Sequence, residues 1–163
     1  MTQEKQPTFD IVRIYTKNVS LESPNTPEVF KLDVQPEIQI QLGNDHREVD
    51  PNIHEVLLRV TVTATYKVED AEGDEAETKV MFLAEVEQAG LFLIDGFEEA
   101  QEAHLKGAYC PNILYPYIRP ALDHLISGAG FPPVMLSPIN FEAVYADRLA
   151  QQAEEAAEEQ VDA

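Results

Sequence analysis

The sequence predicts an α+β fold: a four-stranded antiparallel sheet with one long helix and a C-terminal helix packed on one face. Three observations predict it. Between Phe9 and Glu87 apolar and polar residues alternate in several runs, the period of half-buried strands. Beyond Cys110 apolar residues recur in pairs every four positions, the stripe of an amphipathic helix. No helical pattern separates the strands, which argues for an antiparallel meander rather than a parallel sheet with helical crossovers.

Met1 to Thr8 is polar and is expected to be disordered. Phe9 to Val19 reads as the first strand, with Phe9, Ile11 and Tyr15 on one face and Val12 and Ile14 on the other. A strand apolar on both faces is covered twice or lies at an interface. Leu21 to Pro36 is broken by Pro24, Pro27 and Pro36 yet carries Val29, Phe30, Leu32 and Val34. A loop with that apolar load must pack on something. Glu37 to Leu42 alternates with Ile38, Ile40 and Leu42 on one side. Ile53 to Val68 alternates throughout, with Val56, Leu58, Val60, Val62, Ala64, Tyr66 and Val68 sharing a face. An acidic turn from Glu69 to Glu77 around Gly73 leads to a last strand. There Val80, Phe82, Ala84 and Val86 should point inward, and Met81, Leu83, Glu85 and Glu87 outward.

Gly90 and Gly96 are expected to loosen the chain, and Glu98 to Lys106 to form a short helix. A small-residue turn ending at Cys110 then places Pro111 at the first position of the main helix, where a missing N–H is tolerated. Ile113, Leu114, Tyr117, Ile118, Ala121, Leu122, Leu125 and Ile126 form its stripe, and Pro120 kinks it. Phe131-Pro132-Pro133 stops the helix. Pro138 starts the last helix with Ser137 as its N-cap, and Phe141, Val144, Tyr145 and Leu149 line one side. From Gln151 the chain has acids and no base, so it should fray. The 163 residues are read as one domain, with 1–8 and about 151–163 as disordered tails.

The net charge is −19 and there is one cysteine. The charge argues against nucleic acid and anionic membrane as direct partners. No apolar run is long enough for a span and no secretory signal pattern opens the chain, so no membrane insertion is expected. A single cysteine allows no internal disulfide, consistent with a reducing compartment. His46, His54, His104 and His124 lack metal-ligand spacing, and no nucleotide-binding or nucleophile-elbow motif is present, so neither cofactor nor metal is expected. Cys110 beside Pro111 suggests a thiol at a helix start, but nothing marks a base for it, so a small buried residue is the preferred reading over a cysteine-dependent enzyme.

Gly107-Ala108-Tyr109-Cys110-Pro111-Asn112-Ile113-Leu114-Tyr115-Pro116-Tyr117 resembles the central motif of the SecB family of bacterial protein-export chaperones. Arg13-Ile14-Tyr15-Thr16-Lys17, Gln35-Pro36-Glu37, Val60 to Ala64, Glu87-Gln88-Ala89-Gly90 and Pro138-Ile139-Asn140-Phe141 follow the family's order. The resemblance runs from Phe9 to Leu149. It implies a cytoplasmic, non-enzymatic holdase that keeps unfolded precursor proteins competent for translocation and passes them to the ATPase SecA. It implies a homotetramer, a dimer of dimers. Two proline-stiffened loops carry more apolar residues than one core requires, and exposed apolar surface marks a binding site. With the family's groove as guide, the client-binding candidates are Val29, Phe30, Leu32, Val34, Tyr109, Ile113, Tyr117, Phe131, Val134 and Leu136. The resemblance places SecA docking on Asn18, Glu22, Leu83 and Glu85. Three departures stand out: Val34 where the family often has tryptophan, Asn18 where it has an acid, and Pro120 within the helix. A SecB-like chaperone dedicated to one partner, such as a toxin–antitoxin system, is the alternative.

Overall fold

The computed structural model describes residues 4–69 and 76–161. Its strands are β1 (Thr8–Glu22), β2 (Glu37–Asp50), β3 (Ile53–Val68) and β4 (Glu77–Asp95), and its helices are α1 (Glu99–His104), α2 (Cys110–Gly128) and α3 (Phe141–Val161). The strands form one antiparallel sheet in the order β1-β4-β3-β2. The expected simple meander therefore holds only for β2, β3 and β4. β1 lies beside β4 instead of β2, so the segment from 23 to 36 crosses from one edge of the sheet to the other.

The core lies between the sheet and α2. Val56, Leu58, Val60, Val62 and Ala64 of β3 meet Phe82, Ala84, Val86, Phe92 and Ile94 of β4, and Leu114, Ile118, Leu122 and Ile126 of α2 close over them. One face is thus covered over its central strands by a single long helix. α3 docks on the helical layer rather than on the sheet: Phe141 packs edge-on to Tyr115 with ring centroids 5.5 Å apart, and Tyr145 sits over Gly107.

Several expectations are corrected. β4 does not end near Glu87 but runs through Gly90. A Cβ at Gly90 would lie 2.6 Å from the Phe92 ring and 3.3 Å from Leu114, so this glycine permits close packing instead of loosening the strand. Met81 is buried in the core and Val80 is not, because the register of β3 against β4 shifts between Ala64 and Thr65. β1 carries two shifts, at Ile11/Arg13 and Thr16/Asn18. They turn Phe9 and Ile14 to the core side, and Tyr15 to the opposite face. Gly107 to Cys110 is not a turn: α1 continues through a π-helical segment (Leu105–Tyr109) directly into α2. Asn140, not Ser137, caps α3, its side-chain oxygen accepting from the Ala143 amide at 3.1 Å, while the Ser137 carbonyl accepts from the Tyr115 hydroxyl at 2.6 Å. α3 continues through 151–161, where fraying was expected, and Leu149 on it is exposed. Lys5 pairs with Asp95 at 2.6 Å, so the N-terminal segment is held in part. The acidic turn expected at 69–77 falls mostly outside the described residues.

Candidate functional site

A helix about 10 Å across covers only part of a sheet whose four strands spread over roughly 14 Å between outer axes, before any side chains are added. α2 lies over β4 and β3, with a lesser contact to β1. On β2, Ile38, Ile40 and Leu42 stand opposite Ala64, Val62 and Val60 and so share their face. They are nevertheless 38%, 43% and 37% exposed, whereas their β3 partners are fully buried. The sheet's helix-bearing face therefore ends in an open apolar margin along β2. Ile11 and Val19 of β1 form a smaller margin at the other edge.

Two loops flank this layer. In the crossover segment Val29 is buried, and the Asn25 side chain donates to the Val80 carbonyl at 2.8 Å, tying the loop to β4. Phe30 is half exposed and rests on Phe131, centroids 5.3 Å apart, which in turn rests on Phe82 at 5.0 Å. Leu32 is exposed. Val34 lines a small cleft of about 190 Å³ with Tyr66, Thr65 and Glu37. After α2, Phe131 and Leu136 are buried, Val134 is half-buried and Met135 is 83% exposed. Val134, Met135 and Leu136 form one wall of a cleft of about 280 Å³, and Pro116, Arg119, Pro120 and Asp123 of α2 form the other.

Tyr109 lies at the opposite end of the molecule, edge-on to Phe9, which stacks on Phe92. Phe82 and Phe92 are separated along β4 by roughly 30 Å at a strand rise of about 3.3 Å per residue. The candidate client-binding residues therefore do not gather in one place. Phe30 and Leu32 present apolar surface beside the end of α2, and Tyr109 presents it near the start, with Tyr117 exposed and Ile113 half-buried between. Val29, Phe131 and Leu136 support the surface from the core. The strip of Ile38, Ile40 and Leu42 was absent from the sequence-based set, although its alternation was visible. The signal that finds it is a count: one helix is too narrow to bury four apolar strand faces.

The second candidate set is brought together. On the uncovered face, Glu22 stands opposite Leu83, Ser20 opposite Glu85 and Asn18 opposite Glu87. Glu85 accepts from the Thr61 hydroxyl at 2.9 Å, and Arg59 pairs with Glu87 at 2.6 Å. Further along this face Glu55 is buried and binds three groups: the Tyr15 hydroxyl, Lys17 at 2.9 Å and Arg47 at 3.1 Å. Tyr15 reaches Glu55 from β1 across β4, over the small, fully buried Ala89. The Tyr15 hydrogen bond, opposed by burial and helped by the two cations, holds the Glu55 carboxyl down at about 2. Burial and that same bond push the Tyr15 hydroxyl up to about 12.

Cys110 is fully buried, and burial pushes its thiol up to about 12, the opposite of an activated nucleophile. No group of three or more metal-ligating side chains occurs among the described residues. His54 lies 3.5 Å from Glu102, and His104 lies 2.6 Å from Glu142. His46 is shifted down by burial and by the nearby Lys106. No described helix is long and apolar enough to cross a membrane.

Comparison with known proteins adds the following. The family model for the preprotein translocase subunit SecB matches residues 2–152. Among solved structures, the fold is similar to the Mycobacterium tuberculosis Rv1957 SecB-like chaperone in complex with a ChAD peptide from the HigA1 antitoxin, at a TM-score of 0.54 and 19% identity, covering 80% of this chain and 90% of that one. A protein of unknown function from Streptococcus agalactiae matches at a TM-score of 0.39 and 11% identity, covering 82% of this chain and 99% of that one.

Proposed function

The chain belongs to the SecB family, and from that membership we propose that it is a cytoplasmic holdase, without enzymatic activity, that binds unfolded precursor proteins and delivers them to SecA. The coarser role, a chaperone, follows from the family and from the chaperone fold it shares. The observation that carries the finer reading is the open apolar margin of Ile38, Ile40 and Leu42, with Phe30 and Leu32 of the crossover segment that leads into β2 also held in solvent. An extended client laid along β2 covers this margin and gains main-chain hydrogen bonds at the sheet edge. Folded proteins hide such segments, so selectivity for unfolded chains needs no sequence code.

Each contact is weak and exchanges quickly, so a long client requires several linked sites. A homotetramer, a dimer of dimers, supplies them, with the doubly apolar β1 and the outer side of α2 as the two self-interfaces. SecA docks on the uncovered face at Asn18, Glu22, Leu83 and Glu85. The whole chain works as one domain.

The test is suppression of aggregation. A diluted, urea-unfolded precursor is followed by light scattering with wild type, Ile40→Asp and Phe30→Asp. Placing a charge against a desolvated client costs on the order of several kcal/mol, so both variants should hold poorly while keeping native circular dichroism. Wild-type holding by both variants would refute this placement of the site. A second reading, dedication to one partner such as an antitoxin, is supported by the structural similarity to a SecB-like chaperone bound to an antitoxin peptide. Holding of a single protein from a panel of unrelated precursors would favour it.

A further inference from the structure

The junction between α1 and α2 carries an unfinished hydrogen-bond ladder. In the π-helical segment the Cys110 N–H donates to the Leu105 carbonyl, five residues back. The next residue, Pro111, has no N–H. The Lys106 carbonyl therefore has neither the donor an α-helix would give it nor the one a π-helix would give it. A side chain from the sheet takes that place: Asn44 Nδ2 of β2 donates to the Lys106 carbonyl at a long 3.4 Å. That bond fixes the amide, and its other end, Oδ1, is buried with no donor among the described residues. Asn44 satisfies one acceptor and leaves a second unmatched, an unfavourable arrangement in a part-buried site.

One change of register relieves both. If the Cys110 N–H moves to the Lys106 carbonyl, four residues back, the segment becomes ordinary α-helix and the Asn44 amide is free to turn to solvent. α1 then turns by about 100° relative to α2. Opposing this are the contacts that hold α1 in place. Glu102 is shared by Lys106 at 3.0 Å and the buried His54 at 3.5 Å. From outside, α3 grips the segment through Glu142 on His104 at 2.6 Å and through Tyr145, whose ring would lie 2.5 Å from a Cβ at Gly107 and so seats on bare backbone.

We propose that this junction is a two-register hinge, held in the π register by Asn44 and released by a bound client. The inference rests on the client site proposed above and adds a response to its occupancy. Asn44 follows Ile38, Ile40 and Leu42 on the same face of β2, opposite Leu58, so an extended client that runs past Leu42 reaches it. As the amide swings out, the client's main chain offers an N–H to Oδ1 and a carbonyl that competes with Lys106 for Nδ2. The exchange needs no particular client side chain. Release turns α1 and loosens the seat of Tyr145 on Gly107, so a filled margin on the sheet is felt by α3 on the helical layer.

Cys110 is the chain's single cysteine, lies at the hinge and is fully buried, so its labelling rate by a thiol reagent in native buffer reports the register. Asn44→Leu removes the donor and Tyr145→Ala removes the seat of α3. Each should raise labelling about tenfold with native circular dichroism. Adding Pro111→Ala to Asn44→Leu gives the Lys106 carbonyl an N–H in the π register and should return labelling towards wild type, a repair that simple loss of packing at Asn44 would not show. A cysteine-free, urea-unfolded precursor at saturation should raise wild-type labelling, and Pro111→Ala alone should blunt that rise. Unchanged labelling in both single variants, or no repair by Pro111→Ala, would overturn the proposal. A precursor that is held by light scattering yet leaves labelling unchanged would overturn it too, while the chaperone reading stands. Failure of wild type to hold any precursor would count against that reading instead, and the variants without client would still decide the hinge.

Discussion

Replacing Glu55 by Gln should remove most of a pH-dependent increment of stability. In the folded protein its carboxyl is held at about 2, against 4.5 ordinarily. That difference corresponds to about 3 kcal/mol at neutral pH. Lys17 and Arg47 are 41% and 67% exposed, so solvent screens them and the realised contribution should be about 1–2 kcal/mol. The sign follows from linkage. A carboxyl whose folded value is depressed contributes its full increment above 4.5, and loses it as pH falls towards about 2. Urea unfolding of wild type and Glu55→Gln should therefore differ most at pH 6–7 and converge as the solution is acidified through that window. The Tyr15 hydroxyl retains an acceptor in the glutamine amide, so the fold survives. Parallel stability curves for the two proteins between pH 7 and pH 3 would refute the reasoning, since they would show that Glu55 gains nothing from its charge.

Gly90→Ala should cost about 1–3 kcal/mol by overpacking, because the Phe92 ring that meets the new methyl is itself held by Phe9; thermal unfolding measures this, and an unchanged midpoint would show that the ring yields. Cys110 should resist thiol reagents in the native state and react in urea, since it is fully buried with its thiol pushed up to about 12; rapid native labelling would contradict that. Glu85→Lys should weaken SecA binding and its salt sensitivity without reducing client holding, and Asn18→Asp should raise the SecA association rate at low salt; surface-binding kinetics test both, and equal loss of docking and holding would point to misfolding.

The fold was legible where the pattern was long. Ile53 to Val68 alternates without interruption, and β3 occupies those residues. The stripe from Ile113 to Ile126 likewise marks α2. Three of the failures share one cause: single residues inserted into a period. The shift beside Ala64 exchanges Met81 for Val80 in the core. The shifts in β1 reassign Ile14 and Tyr15 to opposite faces from those expected. The π segment converts an apparent turn before Pro111 into continuous helix. Strand order was illegible for a different reason, because alternation is local and nothing in it says that β1 pairs with a strand some seventy residues later. Candidate docking residues Leu83 and Glu85 were legible as outward residues. The open margin on β2 depended on the ratio of one helix to four strands, which no stretch of sequence carries by itself.

A protein with exposed apolar surface and a sheet with two edges runs the risk of becoming a fibre. The two bulges in β1 bear on that risk. Endless ribbons arise when one edge of a sheet accepts the opposite edge of the next copy, as a plank accepts another plank. β2 pairs evenly over most of its length, while β1 is interrupted twice within fifteen residues. The twist and bend that each bulge adds make β1 a poor match for a straight β2, so head-to-tail growth is disfavoured. Pairing an edge with its own likeness turned around would use up that edge instead of passing it on. The interruptions that misled the reading of the first strand thus act as a stop against growth that has no end.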